Sequence, residues 1–312
     1  MGRAATAIAA ASSIVLAGVL TVLGVGEQAD ALPNWQAFVL GIVQGLTELL
    51  PISSSGHLIL VPWLGEWRYL EQHDEFNQTF DVALHLGTLV AVVAYFRHEI
   101  VALIGAFVRS VARRRIETPD ERVAWVVAVA TVPAAVIGAA GEELIAENLG
   151  EPWQIAILLA FFALVLWVAD RRPEERGMRD LGLWGAFGIG CAQALALMPG
   201  VSRSGITISA ARFLGLGRDE AARLSFLLLA PIVLGAVLLK GVTDVLLGEL
   251  PAGWEGPFLV GTLAAAGSGL IAISALLGYV RRHDYSVFVA YRLVAAAFVL
   301  LLIVAGVRDA SF

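Results

Sequence analysis

Residues 41–57 read GIVQGLTELLPISSSGH, and residues 190–205 read GCAQALALMPGVSRSG. When the two stretches are aligned at a constant offset of 149 residues, which is 190 minus 41, two glycines, one glutamine, one leucine and two serines coincide. These matches lie around the polar part of each stretch. The agreement predicts an internal duplication rather than two unrelated loops.

Each stretch has the pattern of an apolar helix, a proline, a serine cluster, a glycine and a second helix. Pro51 and Pro199 cannot continue the incoming helices, because proline lacks the backbone N–H and clashes with the preceding turn. Serine is a preferred N-cap residue, so we expect a serine to begin each outgoing helix. The candidate caps are Ser53 and Ser55 in the first stretch and Ser202 and Ser204 in the second. Each stretch therefore predicts a helix–turn–helix hairpin.

The rest of the chain has the composition of a membrane protein. Of its 312 residues, 58% are hydrophobic and 15% are charged, whereas a soluble domain is about 45–50% apolar and about a quarter charged. A single cysteine excludes a disulfide framework and a thiolate metal cage. We expect membrane lipids and no nucleic acid among the partners, with a homodimer as a candidate assembly.

Seven apolar runs come close to the roughly 20 residues that a helix needs to cross the hydrocarbon core of a bilayer. They are residues 7–25, 80–97, 123–140, 153–169, 222–240, 258–280 and 287–307. Two further apolar pieces, 34–50 and 181–198, lead into the serine-rich turns. Irregular backbone at membrane depth is tolerated only inside protein or beside a wet cavity. The chain is therefore predicted to be an all-α polytopic membrane protein with two re-entrant hairpins inside a helical bundle.

The charged loops predict an orientation for the spans. Loops 109–122 and 170–180 are rich in arginine and are placed on the cytoplasmic side. Loops 141–152 and 241–257 contain acidic residues and no lysine or arginine, and they are placed outside. The first hairpin then begins and ends on the outer side, and the second on the inner side.

The predicted organisation is a single membrane-embedded catalytic domain, 34–312, preceded by an N-terminal extension. Hairpins of opposite orientation predict two inverted repeats, at about 34–140 and 181–280, around a shared site near the bilayer midplane. Residues 1–33 resemble a signal peptide, but their apolar run is long enough for an uncleaved anchor helix as well.

The polar residues of the two turns predict a phosphate site. Two helix N-termini that face one cavity favour an anion there, because their N–H groups are unpaired and the helix dipoles are positive at that end. Arg203 lies in the second turn, and a guanidinium can bind phosphate through two hydrogen bonds. Gln44 and Glu48 are four residues apart and share one face of a helix. His57 follows on the returning helix, beside Ser54.

This set of side chains suits the hydrolysis of a phosphoanhydride. Arg203 and the helix N-termini would neutralise charge on the transferred phosphoryl group. Glu48 has two candidate roles, which are to bind a divalent cation such as Mg²⁺, with Ca²⁺ as the alternative, or to orient water. His57 would protonate the leaving phosphate or act as the nucleophile, and Ser54 would be either the nucleophile or a phosphate ligand.

At these residues the chain resembles the undecaprenyl-diphosphate phosphatase family of bacterial membranes. The matching motifs are Gln44-Gly-Leu-Thr-Glu48, Pro51-Ile-Ser-Ser-Ser-Gly-His57 and Pro199-Gly-Val-Ser-Arg203-Ser-Gly-Ile-Thr207. The likeness extends from about Trp35 to the C-terminus. It implies hydrolysis of undecaprenyl diphosphate to the monophosphate carrier used in peptidoglycan synthesis, and resistance to bacitracin. It also implies dependence on a divalent cation and a site open to the outer face of the plasma membrane.

Together, the residue patterns and the resemblance predict a set of site residues. The predicted catalytic residues are Glu48, Ser54, His57 and Arg203. The predicted substrate-binding residues are Gln44, Ser53, Ser55, Ser202, Ser204, Gly205 and Thr207. The predicted metal ligand is Glu48. The family has Glu or Gln at the first acidic position of its first motif, and because this chain has Gln44, a metal site with two carboxylates is less expected.

Two alternatives stay open at this point. Inverted repeats with broken helices are typical of transporters, so a polyprenyl-phosphate transporter or flippase without hydrolysis is the rival function. Both functions need a phosphate cradle, but only the enzyme needs Glu48 and His57 beside it. Separately, Asp81 and His85 are four residues apart and hint at a metal site, although we expect them near the outer mouth of the bundle.

Overall fold

The computed structural model describes residues 32–67, 69–70, 73–240 and 253–311, and these residues form eleven α-helices. The helices are α1 Asn34–Leu49, α2 Ser54–Gly65, α3 Asp74–Tyr95, α4 Arg97–Arg113, α5 Pro119–Asn148, α6 Pro152–Ala169, α7 Leu183–Ala194, α8 Arg203–Phe213, α9 Arg218–Lys240, α10 Glu255–Val280 and α11 Ser286–Val304. Short 3₁₀ turns occupy Met178–Asp180 and Leu195–Leu197. The described part of the chain contains no β-strand, so the predicted all-α fold is confirmed.

Six of these helices are long and apolar enough to cross a membrane, which confirms six of the predicted spans. They are Phe76–Tyr95, Pro119–Gly141, Pro152–Ala169, Arg218–Leu239, Glu255–Val280 and Ser286–Val304. The predicted span at 7–25 lies outside the described residues. The protein is therefore a multi-pass membrane protein.

The two hairpins are present where the sequence predicts them. The first consists of α1 and α2, with 16 and 12 residues, which correspond to about 24 and 18 Å of helix. Neither helix alone reaches across a hydrocarbon core of roughly 30 Å. The second consists of α7, the 3₁₀ turn before Pro199, and α8. That the hairpins are re-entrant and belong to inverted repeats stays a prediction.

The structure decides between the candidate N-cap residues. Ser53 caps α2 by accepting a hydrogen bond from the N–H of Gly56, and Ser202 caps α8 in the same way from Gly205. Both serines have an unusual positive φ, 76° and 75°. Left-handed backbone is uncommon for residues other than glycine, asparagine and aspartate. Two positions related by the same 149-residue offset thus share one rare conformation, which supports the duplication.

Helix α1 is held against α10 by contact between small residues. A Cβ atom added to Gly45 would lie 2.0 Å from Ser268 Oγ and 2.4 Å from the carbonyl oxygen of Ala265. One turn earlier, a Cβ atom on Gly41 would lie 2.3 Å from the carbonyl oxygen of Gly261. Small residues allow helices in membranes to approach closely. This contact fixes the helix that carries both Gln44 and Glu48.

Substitution of Gly45 by alanine tests that contact. Overpacking of a tight site costs typically about 1–3 kcal/mol, so we expect Gly45→Ala to lower the midpoint of thermal unfolding in detergent. The control is Gly267→Ala on α10, where nothing lies within 4 Å of the added atom. Both variants replace a helical glycine by alanine, so the gain in intrinsic helix propensity is the same in each. Equal unfolding midpoints for the two variants would contradict the close approach of α1 and α10.

Candidate active site

A buried ion pair joins the two hairpins at their turns. Glu48 lies at the end of α1, and Arg203 is the first residue of α8. Arg203 donates to Glu48 Oε1 from Nη2 at 2.9 Å and from Nε at 3.3 Å. The side chains are 5% and 11% exposed. The third guanidinium nitrogen, Nη1, donates to the carbonyl oxygen of Ser225 at 2.6 Å. Arg203 is therefore held in place from both sides.

The other carboxylate oxygen of Glu48 has three neighbours of its own. Ser54 Oγ donates a short hydrogen bond to Oε2. Gln44 Nε2 donates to the same oxygen at 3.4 Å, across one turn of α1. His85 of α3 completes the environment, with Nε2 at 3.5 Å from Oε2. The structure thus brings Gln44, Glu48, Ser54 and Arg203 together, and it adds a histidine that is 28% exposed.

Most of the predicted substrate-binding hydroxyl groups lie in the wall of this site. Ser204 Oγ donates to the carbonyl oxygen of Leu50 at 2.9 Å, and this bond connects the two turns. Thr207 Oγ1 lies 2.8 Å from Ser225 Oγ and donates to the carbonyl oxygen of Arg203 at 2.7 Å. Like the caps Ser53 and Ser202, these side chains are buried. Their hydroxyl groups hold the turns together, whereas Ser55 is only half-buried.

Both ring nitrogens of His57 have hydrogen-bond partners. Its Nδ1 lies 2.6 Å from the carbonyl oxygen of Ser53. A carbonyl oxygen only accepts, so Nδ1 carries a proton. Its Nε2 lies 2.7 Å from the hydroxyl group of Tyr291, and the two rings stack at 16°. None of the described hydrogen bonds of His57 reaches Glu48 or Arg203, so its contact is with α11 rather than with the ion pair.

Arg292, the neighbour of Tyr291, supports both turns at once. It is fully buried on α11. It donates to the carbonyl oxygens of Gly200 at 3.0 Å and Val201 at 3.1 Å in the second turn. It also donates to Pro51 of the first turn at 3.3 Å and to Leu159 of α6 at 3.1 Å. The carbonyl oxygens of Pro51, Gly200 and Val201 lie outside the helices, and one guanidinium donates to all three.

Sequence reasoning missed His85, Ser225, Tyr291 and Arg292 as members of this region. For Arg292 a signal was present, because an arginine inside a predicted span is a functional-site hypothesis by itself. His85 was expected with Asp81 near the outer mouth of the bundle, which stays a prediction, but its contact with Glu48 was not predicted. Its Nδ1 is bonded to the carbonyl oxygen of Asp81 at 2.7 Å.

The oxygen atoms around Glu48 fit a hard divalent cation. No group of three or more His, Cys, Asp or Glu side chains within the described ranges could hold a metal. However, Gln44 Oε1 is buried and has no hydrogen-bond partner among the described atoms. Mg²⁺ is commonly bound by one or two carboxylates together with substrate phosphates. Glu48 and the free amide oxygen of Gln44 are therefore the residues that would hold it.

The comparisons with known proteins agree with one another. A family model described as Bacitracin resistance protein BacA matches residues 37–298. A protein named undecaprenyl-diphosphatase from Pelotomaculum thermopropionicum is 45% identical over 279 residues, which are 89% of this chain and 99% of that relative. A relative of the same name from Rubrobacter xylanophilus is 46% identical over 275 residues, which are 86% of this chain and 97% of that relative. Another, from Geobacter sulfurreducens, is 48% identical over 271 residues, which are 85% of this chain and 96% of that relative.

The family match extends over well more than half of the chain and includes both hairpins, the Glu48–Arg203 ion pair and Arg292. The three relatives are covered almost from end to end. The chain belongs to the BacA family of bacitracin resistance proteins.

Proposed function

We propose that this protein hydrolyses undecaprenyl diphosphate to undecaprenyl phosphate and inorganic phosphate in a bacterial plasma membrane. The observation that carries the proposal is the Glu48–Arg203 ion pair, with Ser54 bonded to the same carboxylate. The relatives are named for this activity. By releasing the monophosphate carrier for peptidoglycan synthesis, the enzyme would confer resistance to bacitracin.

Phosphate recognition rests on two helix N-termini as well as on Arg203. The N–H groups of Ser54 and Ser55 at the start of α2 are among the first donors of a helix, which have no partner in the helix itself. The same holds for Arg203 and Ser204 at the start of α8. Such N–H groups, together with the helix dipole, bind phosphate. The guanidinium of Arg203 adds the charge that stabilises the phosphoryl group in the transition state.

Ser54 is the nucleophile in this proposal. Its hydroxyl group donates to the Glu48 carboxylate, which is the arrangement of a nucleophile and its base. Attack forms a bond between Ser54 Oγ and the terminal phosphorus and breaks the anhydride bond, and undecaprenyl phosphate leaves with the bridging oxygen. Water then hydrolyses the phosphoserine and releases inorganic phosphate. A phosphate leaves without protonation, because its second pKa is about 6, so His57 need not act as an acid.

Loss of either member of the ion pair should abolish most of the activity. We expect Arg203→Ala and Glu48→Gln each to lower kcat by about 10²–10³, as for other groups that stabilise a transition state or transfer a proton. The measurement is phosphate release from undecaprenyl diphosphate in detergent. The controls are the variants Arg109→Gln and Glu117→Gln, each of which removes an exposed side chain with the same charge as one member of the ion pair. Loss of activity in the controls, or its retention in the pair variants, would contradict the assignment.

The covalent step can be tested directly. An acid quench during turnover should trap phosphate on Ser54, since phosphoserine is stable in acid, and peptide mass spectrometry should find it there. Ser54→Ala should show neither the phosphopeptide nor a burst of undecaprenyl phosphate in rapid-mix kinetics. Phosphate found on His57, or single-phase kinetics without a phosphopeptide, would contradict a serine nucleophile. The latter result would mean that water attacks directly.

A divalent cation, Mg²⁺ in the first place and Ca²⁺ as the alternative, belongs to the proposal. Held by Glu48 and the amide oxygen of Gln44, it would neutralise charge on the diphosphate when bound. This role uses the amide oxygen of Gln44, which is buried and has no hydrogen-bond partner among the described residues. Since Glu48 is already bonded to Arg203, the cation would share that carboxylate with the guanidinium until a substrate phosphate takes its place at Arg203.

Removal of the Gln44 amide should weaken activation by the cation. We expect Gln44→Leu to raise the Mg²⁺ concentration for half-maximal activity by about tenfold, as loss of a ligand-supporting group does at other metal sites. Gln193 has the equivalent position in the second hairpin and donates to Ala130 of α5 instead. Gln193→Leu is therefore the matched control. Equal shifts in the two variants would exclude a specific role for Gln44.

The rival function, transport of a polyprenyl phosphate without hydrolysis, is not favoured. A transport site needs phosphate ligands, but it does not need a serine hydroxyl bonded to a carboxylate. Lipid movement in vesicles with no phosphate release would support it nonetheless. The proposal keeps two further predictions. The charges of the loops predict that the site opens to the outer face, and a homodimer is the candidate assembly.

A further inference from the structure

A polar cavity lies away from the active site, at the far end of α6. It measures about 750 Å³ including its open mouth and lies between the loop after α6, the start of α9 and the start of α11. Its lining includes Trp167, Arg171, Arg172, Arg212 and Arg218. None of the active-site residues lines it. The loop 170–180 is one of the arginine-rich segments that predict the cytoplasmic face.

The inner wall of this cavity is a fixed ion-pair network. Asp170 accepts from Arg218 Nε at 2.7 Å and from the backbone N–H of Tyr285 at 2.9 Å. Arg218 also donates to Glu174 at 3.1 Å. Arg212 is fully buried, yet its Nε–H has no hydrogen-bond partner among the described atoms and lies 3.5 Å from Asp170 Oδ1. The carboxylates of the wall thus pair with Arg212 and Arg218, and they leave the buried Nε–H of Arg212 without a hydrogen-bond acceptor among the described residues.

The mouth of the cavity carries two arginines, Arg171 and Arg172, that form no ion pair with any described residue. The Arg171 guanidinium stacks on Trp167 at 3.1 Å from the ring centroid, and that of Arg172 lies 5.9 Å from the ring of Phe213. Neither guanidinium pairs with a carboxylate of the described residues. Four arginines line the cavity, against the three carboxylates of Asp170, Glu174 and Asp284, so one positive charge is uncompensated.

An apolar surface leads from this mouth along α6. Trp167, Leu164 and Phe161 are 43%, 51% and 57% exposed. At a spacing of three residues they follow one side of the helix. In a membrane-spanning helix such a side faces the acyl chains. A ligand with a charged head at Arg171 and a hydrocarbon tail along these residues would match both features.

We propose that this cavity binds the phosphodiester headgroup of an anionic membrane lipid. A phosphodiester carries a single negative charge, which equals the uncompensated charge of the lining. Free arginine side chains are suited to phosphate, and interfacial tryptophan to the junction of headgroup and chain. The apolar side of α6 favours a lipid over free phosphate. Bound lipid would stabilise the folded bundle, because a ligand that binds only the folded state raises its stability.

The test compares two double variants with the same loss of charge. Arg171→Gln/Arg172→Gln alters the cavity mouth, and Arg114→Gln/Arg115→Gln removes two exposed arginines from another basic loop. Delipidated full-length protein in detergent is titrated with phosphatidylglycerol or phosphatidylcholine, and bound lipid is counted by native mass spectrometry. We expect the cavity variant to bind phosphatidylglycerol about 25-fold more weakly, since each arginine near an anionic lipid contributes roughly a factor of five. The control variant should bind like the wild type.

Several outcomes would overturn the proposal. Equal loss in both double variants would mean a general charge effect, and equal binding of phosphatidylcholine would mean no headgroup recognition. Displacement of the lipid by inorganic phosphate at matching concentrations would assign the cavity to free phosphate. The unfolding midpoint in lipid-free detergent checks that the variants fold. If the cavity double variant does not fold, Arg171→Gln alone should weaken phosphatidylglycerol binding about fivefold, and unchanged binding would refute the site.

Discussion

The hydrogen bonds of Arg292 are the interaction on which the rest of the site depends. Where a helix breaks inside the protein, its carbonyl oxygens need a donor from elsewhere, and each buried group left unsatisfied costs several kcal/mol. Arg292 donates to carbonyl oxygens of both turns and of α6. One buried cation therefore makes two broken helices tolerable at the same place. The convergence of the helix N-termini, and with it the pairing of Glu48 and Arg203, follows from that arrangement.

The two hairpins have the same frame but different chemistry. Ser53 and Ser202 cap their helices with nearly the same backbone conformation. One residue further on, the first hairpin has Ser54, whereas the second has Arg203 at the equivalent position. Glu48 likewise has an apolar counterpart in the second hairpin. The predicted duplication would supply the geometry twice, and divergence would place Ser54 and Glu48 on one turn and Arg203 on the other. Opposite charges then attract where the turns meet.

The sequence predicts the hairpins and a shared site for Glu48 and Arg203 for physical reasons that it contains, but it does not predict the ion pair between them. Proline, serine and glycine specify the turns locally, and Glu48 and Arg203 are charges in apolar surroundings. It does not predict His85, which reaches Glu48 only because α3 packs beside α1, a contact between distant segments. Nor does it show that Ser204 bonds to the opposite turn, because a serine near a helix start suits a cap equally well. The choice depends on tertiary packing.

The Glu48–Arg203 ion pair is almost closed to solvent, and this bears on how the substrate binds. Because the Glu48 and Arg203 side chains are only 5% and 11% exposed, the proposed binding of the diphosphate at Arg203 would have to displace the carboxylate from the guanidinium. A buried ion pair gains little net stability, because desolvation offsets most of the attraction. A phosphate group at Arg203 would carry more negative charge than the Glu48 carboxylate and would also meet two helix N-termini. Replacement of the carboxylate by the phosphate would therefore be favourable. The exchange would leave Glu48 bonded to Ser54 but no longer to Arg203, so in the proposed mechanism the substrate itself would prepare the base for the nucleophile.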